Sequence, residues 1–257
     1  MRHSSKNLMI KTMILYCQFF TRLPFSVEID EAELRFKKGI VGFSVFGLFI
    51  GLVDGLAFLL LSWLMDSLII GWLGALLFDV FLIGAFHMDG LAEMCDGLFS
   101  SRNKERMLEI MKDSRVGTNG VLALIFYYLL MFVPVIIHLD KMEQVYLFRV
   151  MVALQIVGKS GIALLFQNMR YAGHTNGLGR LFLGVASWRI LICQRLAVMM
   201  IYGLLGLKGI IAYFVVVFAS FGYRSLVYRK IDGMNGDTLG AFHCISQMLF
   251  ILILFRG

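Results

Sequence analysis

Apolar runs of about 20 residues, the length needed to cross a bilayer core of about 30 Å, recur along this 257-residue chain. They lie near 40–65, 67–86, 119–138, 150–168, 190–206, 209–223 and 241–255. Polar, charge-bearing stretches separate them at 87–118, 169–189 and 224–240. The pattern predicts an all-α, polytopic integral membrane protein with about seven transmembrane helices. The last three runs are short or closely joined, which leaves that count open by one. A further apolar stretch over 8–25 is interrupted by Lys11 and Arg22 and predicts an N-terminal interfacial helix. Residues 100–117 read as a short amphipathic helix on the cytoplasmic side, capped by Ser100 or Ser101, with Met107, Leu108, Ile110 and Met111 turned to the membrane surface. No linker divides the chain, so 1–257 reads as one membrane-embedded domain.

Composition agrees with lipid as the solvent: 59% of residues are hydrophobic and 16% charged, far from the balance of a water-facing domain. The net charge of +7 in a soluble chain would suggest nucleic acid. Here 18 of the 24 Lys and Arg residues fall on one side of the predicted spans, in 1–39, 87–118, 169–189 and 224–240. That bias orients the protein, with N-terminus and long loops in the cytoplasm, and removes the case for a nucleic-acid partner. The N-terminus lacks the short apolar core and small-residue cleavage site of a leader. Cys17, Cys95, Cys193 and Cys244 are scattered without zinc or redox spacing, and the five histidines form no ligand pair.

The densest chemistry is Phe86-His87-Met88-Asp89-Gly90-Leu91-Ala92-Glu93-Met94-Cys95-Asp96-Gly97, at the end of the second apolar run. On a helix Asp89, Glu93 and Asp96 stand at i, i+4 and i+7 and share a face. Three neighbouring carboxylates repel unless a cation holds them, and an all-oxygen set suits Mg²⁺ or Ca²⁺ rather than zinc. Asp113, from a separate element, joins them as a candidate ligand. Such a centre suits in-line displacement at phosphorus through one metal or two. A carboxylate left free of metal then takes the proton of an attacking hydroxyl, and Asp113 and Asp96 are the two candidates for that role.

Lys112, Arg115 and Arg180 are candidate phosphate contacts, against a simpler role as topogenic charges. The glycine-rich loop 170–180, containing Asn176, and the segment Asn235-Gly236-Asp237-Thr238 can bring backbone N–H groups to a phosphate. Asp237 and Thr238 either contact substrate or cap the last span. Asp54, Asp79, Lys159 and Arg195 fall within spans. Asp79 and Lys159 lie at similar depth and predict a buried pair between helices. An ion path is the competing reading, but a transporter concentrates its acids at mid-membrane, and here the dense set is at the edge. His87 either orients a carboxylate or is a satisfied interfacial histidine.

Several segments together resemble the cobalamin synthase (adenosylcobinamide-GDP ribazoletransferase) family. They are Phe20–Pro24, His87–Glu93, Cys95–Gly97, Arg106–Gly117 and Gly236–Ala241, so the likeness spans nearly the whole chain. Glu93 stands where the family usually has Asp, and Met88 where it usually has Leu. The resemblance implies a Mg²⁺-dependent enzyme of the cytoplasmic (inner) membrane, with its active site facing the cytoplasm. It also implies the last assembly step of cobalamin. The adenosylcobinamide phosphate moiety would pass from adenosylcobinamide-GDP to the 5′-hydroxyl of α-ribazole, or to α-ribazole 5′-phosphate, with release of GMP. Membrane lipid is the expected surroundings, and a homo-oligomer is allowed. Asp89-Gly90 also matches the opening of the CDP-alcohol phosphatidyltransferase motif, but Glu93 replaces that motif's Arg and the spacing differs. Lipid synthesis is therefore the second enzymatic reading.

Overall fold

The computed structural model describes the backbone of residues 2–173 and 177–256, with side chains from residue 9 onward. Ten α-helices account for nearly all of it: α1 (Arg2–Phe20), α2 (Ala32–Gly39), α3 (Phe43–Leu64), α4 (Leu68–Ile83), α5 (Phe86–Ser100), α6 (Lys104–Ile110), α7 (Thr118–His138), α8 (Gln144–Leu165), α9 (Ser187–Ile231) and α10 (Gly236–Leu254). Among the described residues there is no strand, only an isolated bridge between Tyr171 and Met234.

Among the described residues five helical segments are long and apolar enough to cross a membrane, and counting the bent pair α4–α5 as one span gives six. One of the five is α9, whose 45 residues would reach about 67 Å at 1.5 Å per residue, twice the bilayer core. It breaks at Gly206, where φ is 62° and ψ is −150°, a conformation open to glycine and strained for other residues. The two halves fold back on each other. Tyr213 donates to Gln194 across the hairpin, and Trp188 and Leu191 line one groove with Ser220 and Phe221. Counting the halves separately restores the seven passes expected from the hydropathy pattern.

Helix α8 is the central post, buried along almost its whole length from Leu147 to Leu165. It packs against α3 through Gly47, Gly51 and Gly55, spaced four apart on one face. A Cβ on Gly47 would meet the Gln155 carbonyl at 2.7 Å, and one on Gly51 the Val152 carbonyl at 2.5 Å. In lipid, where burying apolar surface gains nothing, such backbone-to-backbone packing holds helices together. The acids and lysine of the membrane interior gather on the same post. Gln155 donates its amide to Asp54 Oδ2 at 2.8 Å and to Asp79 Oδ1 at 2.9 Å. Lys159 hydrogen-bonds His87 Nε2 at 2.6 Å, and the His87 ring stacks on His243 at 3.9 Å. The expected Asp79–Lys159 pair is thus a wider network, in which the lysine's hydrogen bond goes to a histidine and a glutamine amide links the two acids. Arg195 is exposed on the outer surface of the bundle.

The short helix α6 differs from expectation in its cap and in its packing. The N-cap of α6 is Asn103, whose Oδ1 accepts from Arg106 N at 2.8 Å, rather than Ser100 or Ser101. Ser100 closes α5 instead. Met107 and Met111 are buried, not spread on the membrane surface. They cover Gly97 of α5, where an added Cβ would lie 2.4 Å from Met111.

Candidate active site

The α4–α5 junction turns the chain by 87°. Gly84 and Ala85 both take left-handed backbone angles, with φ of 63° and 58°. This turn ends α4 and sends α5 off at a steep angle. The first turns of α5 then lie against the start of α10, and the contact is tight. A Cβ on Gly90 would meet the Asp237 carbonyl at 2.9 Å and Gly240 Cα at 3.3 Å. With a side chain at 90 the two helices separate, so the glycine is what brings Asp89 and Glu93 beside Asp237.

A cleft of about 500 Å³ opens at this crossing, lined by Asp89, Glu93, Lys112, Tyr171, Asn235 and Asp237, with Gly90, Gly173, Gly177 and Gly236 supplying bare backbone. Its walls come from the start of α5, the turn after α6, the loop after α8 and the start of α10. Glu93 and Asp237 are within hydrogen-bonding contact, and Asp89 bears electrostatically on both. Two carboxylates share a hydrogen bond only through a proton, and a bound cation removes the same repulsion. Asp237 is placed by its own helix. Asn235 caps α10 in a reciprocal capping box with Thr238, accepting from Thr238 N at 2.9 Å, and its amide donates to Asp237 Oδ2 at 3.0 Å. A carboxylate in the first turn of a helix is also favoured by the helix dipole.

The remaining candidates separate by what they touch. Among the described residues Lys112 is the only cation lining the cleft. Asp96 is on α5 as expected, but seven residues carry it about 10 Å along the axis from Asp89. There it accepts from Gly117 N at 2.7 Å and Gly120 N at 2.9 Å, capping α7, and it does not line the cleft. Asp113 and Arg115 also lie outside the lining. They form a two-pronged pair of 3.0 and 2.6 Å, and the guanidinium holds the Asp113 carboxyl down to about 2. Thr238 is fully buried in the capping box, not open to the cleft. Arg180 sits in the 3₁₀ turn Leu178–Phe182, near Glu33 and Tyr171. Asn176 lies outside the described residues. The sequence left Asp237 between substrate contact and capping of the last span, and gave Tyr171 no role. The usable signal for Asp237 was its place at the start of a span on the same side as Asp89.

Among the described residues no three Asp, Glu, His or Cys side chains converge closely enough to enclose a metal by themselves. Mg²⁺ needs no such cage, since it takes one or two carboxylates and fills its other positions with water and substrate phosphate. The all-oxygen set of Asp89, Glu93 and Asp237 beside a lysine fits that mode.

A family profile described as "Cobalamin-5-phosphate synthase" matches residues 12–255. This chain belongs to that family. It is 44% identical over 250 residues to the adenosylcobinamide-GDP ribazoletransferase of Listeria monocytogenes serovar 1/2a, covering 96% of this chain and 99% of that one. The enzymes of the same name from Clostridium novyi and Klebsiella pneumoniae are 41% and 36% identical, each aligned over 96% of this chain and 98% or more of its own length. No solved structure matches. The family member described here is a multi-pass helical membrane protein whose polar cleft opens where helices meet loops.

The helix crossing gives a first prediction. Gly90→Ala is expected to leave the protein folded while lowering turnover roughly tenfold or more, because displacement of reacting groups by a fraction of an ångström is costly. Steady-state kinetics on purified protein check it, and an unchanged rate would separate the crossing from the chemistry. A second concerns the cap. Asp96→Ala is expected to cost about 1–2 kcal/mol of stability by leaving two N–H groups of α7 unsatisfied. Thermal unfolding in detergent reads that cost. Full stability with lost catalysis would return Asp96 to the reaction.

Proposed function

We propose that this chain catalyses the last assembly step of cobalamin, joining the adenosylcobinamide phosphate of adenosylcobinamide-GDP to α-ribazole or its 5′-phosphate and releasing GMP. Family membership supports the reaction, and one observation carries its location: Asp89, Glu93, Asp237 and Lys112 face a single cleft.

In the reaction an acceptor hydroxyl oxygen bonds to the phosphorus that carries the cobinamide arm. The bond from that phosphorus to the bridging oxygen breaks, and GMP departs with the bridging oxygen. An acceptor already phosphorylated at its 5′ oxygen has no 5′-hydroxyl to offer. If one geometry serves both acceptors, the nucleophile is a hydroxyl on the ribose ring, which replaces the 5′-hydroxyl of the sequence reading. Glu93 and Asp237 would hold Mg²⁺, which when bound neutralises diphosphate oxygens. Lys112 contacts a phosphate oxygen as a point charge. Asp89, the most exposed of the three acids, accepts the proton of the attacking hydroxyl. The cleft's site on the cytoplasmic side of the inner membrane is supported by the 18 basic residues that share that side of the spans.

The test is Mg²⁺-dependent release of GMP from adenosylcobinamide-GDP by purified protein when α-ribazole is added. GMP release that requires the acceptor is the expected result. Activity only with a CDP-alcohol donor and a lipid acceptor would overturn the proposal. Lys112→Ala is expected to lower kcat/KM by roughly 10²-fold, and no change would remove it from phosphate binding.

A further inference from the structure

Helices α1, α2 and α3 enclose a second feature, separate from the cleft. A wholly apolar groove of about 480 Å³ runs between α1 and α3, floored by Met13, Val45, Phe46 and Phe49. It continues through Met13 and Val45 into a cavity of about 210 Å³ that reaches Arg35 and Lys38 of α2. Two cations at that end make no ion pair among the described residues. Lys37 is paired with Glu33 at 2.8 Å, and Glu33 is the one acid of α2. Among the described residues no acid pairs with Arg35 or Lys38. Arg35 spends only its Nε, on the Asp30 carbonyl at 2.7 Å. The site is therefore an apolar trough with two cations at one end that no ion pair among the described residues occupies.

We propose that this groove holds one anionic phospholipid, with an acyl chain along α3 and the headgroup phosphate between Arg35 and Lys38. The charge pattern selects the occupant. A zwitterionic lipid fills the trough equally well but carries no net charge to answer two cations. The basic end belongs to the side of the spans rich in Lys and Arg, the side on which anionic lipids concentrate. The lipid then pins α1 and α2 to α3, beside the ring cluster in which Tyr16 packs on Phe36, Phe43 and Phe46.

The test uses the full-length protein in detergent, incubated with phosphatidylglycerol or with phosphatidylcholine of the same acyl chains. Native mass spectrometry counts tightly held lipid, and thermal unfolding reports its effect. One phosphatidylglycerol is expected to be held roughly tenfold or more tightly than phosphatidylcholine, with a higher melting midpoint. The double variant Arg35→Gln, Lys38→Gln is expected to lose that preference while keeping GMP release, since neither residue lines the cleft. Val45→Trp, which fills the trough, is expected to lose both lipids. Should that variant fail to fold, the charge variant still decides. Equal retention of the two lipids, retention of neither, an unchanged preference in the charge variant, or a second copy of the chain covering the groove would each overturn the assignment.

Discussion

Asp237→Asn is expected to abolish GMP release, by on the order of 10³-fold, while the protein remains folded. Asp237 stands beside Glu93 in the cleft at the start of α10, and the two carboxyls act on each other. Metal charge stabilisation of a phosphoryl transition state is worth several kcal/mol, which corresponds to a loss of that size. The fold keeps its own supports in this variant, because the capping box is made by Asn235 and Thr238. Asn at 237 still accepts a hydrogen bond but no longer brings a charge to a cation. Asp89→Asn is expected to slow turnover by roughly 10²–10⁴-fold, the usual contribution of a proton acceptor, with the Mg²⁺ requirement little changed. Mg²⁺ titrations of both variants separate the roles. A raised Mg²⁺ requirement at Asp89 and none at Asp237 would exchange them.

Lys159→Met is expected to destabilise the protein by about 3–5 kcal/mol, the penalty for leaving buried charge without its partner. Lys159 is fully buried and acts electrostatically on Asp54 and Asp79, while its hydrogen bond ends on His87. The network ties α3, α4, α5, α8 and α10 around one post, so its loss is felt across the bundle. Adding Asp79→Asn to Lys159→Met removes the orphaned charge and is expected to recover part of the loss. Thermal unfolding of both variants in detergent checks this. A Lys159→Met protein that melts like the parent but has lost catalysis would place the lysine in the reaction.

The span pattern was legible because lipid demands long apolar helices, and the break in α9 was visible as two runs separated near residue 206. The carboxylate face of α5 was legible from the spacing of Asp89 and Glu93. Asp96 shows where helical periodicity runs out: a shared face does not mean a shared depth, and seven residues of rise took it to the start of α7. Asp113 was drawn in because a carboxylate from a separate element could complete the set, but its neighbour Arg115 pairs with it outside the cleft lining. Asp237 is 144 residues beyond Glu93, and nothing local announces that α5 and α10 cross. That contact depends on the bare backbone of Gly90 meeting Gly240, which is a property of packing and not of pattern. The cation-free stretch of α3 with Gly47, Gly51 and Gly55 is a readable small-residue face, but its partner, α8, is not readable from it.

The most direct test compares Mg²⁺-dependent GMP release by the parent, Asp237→Asn and Asp113→Asn proteins at matched folding. A site built from Asp89, Glu93, Asp237 and Lys112 predicts that Asp237→Asn is inactive and Asp113→Asn nearly normal. An active Asp237→Asn enzyme beside an inactive Asp113→Asn enzyme would contradict it.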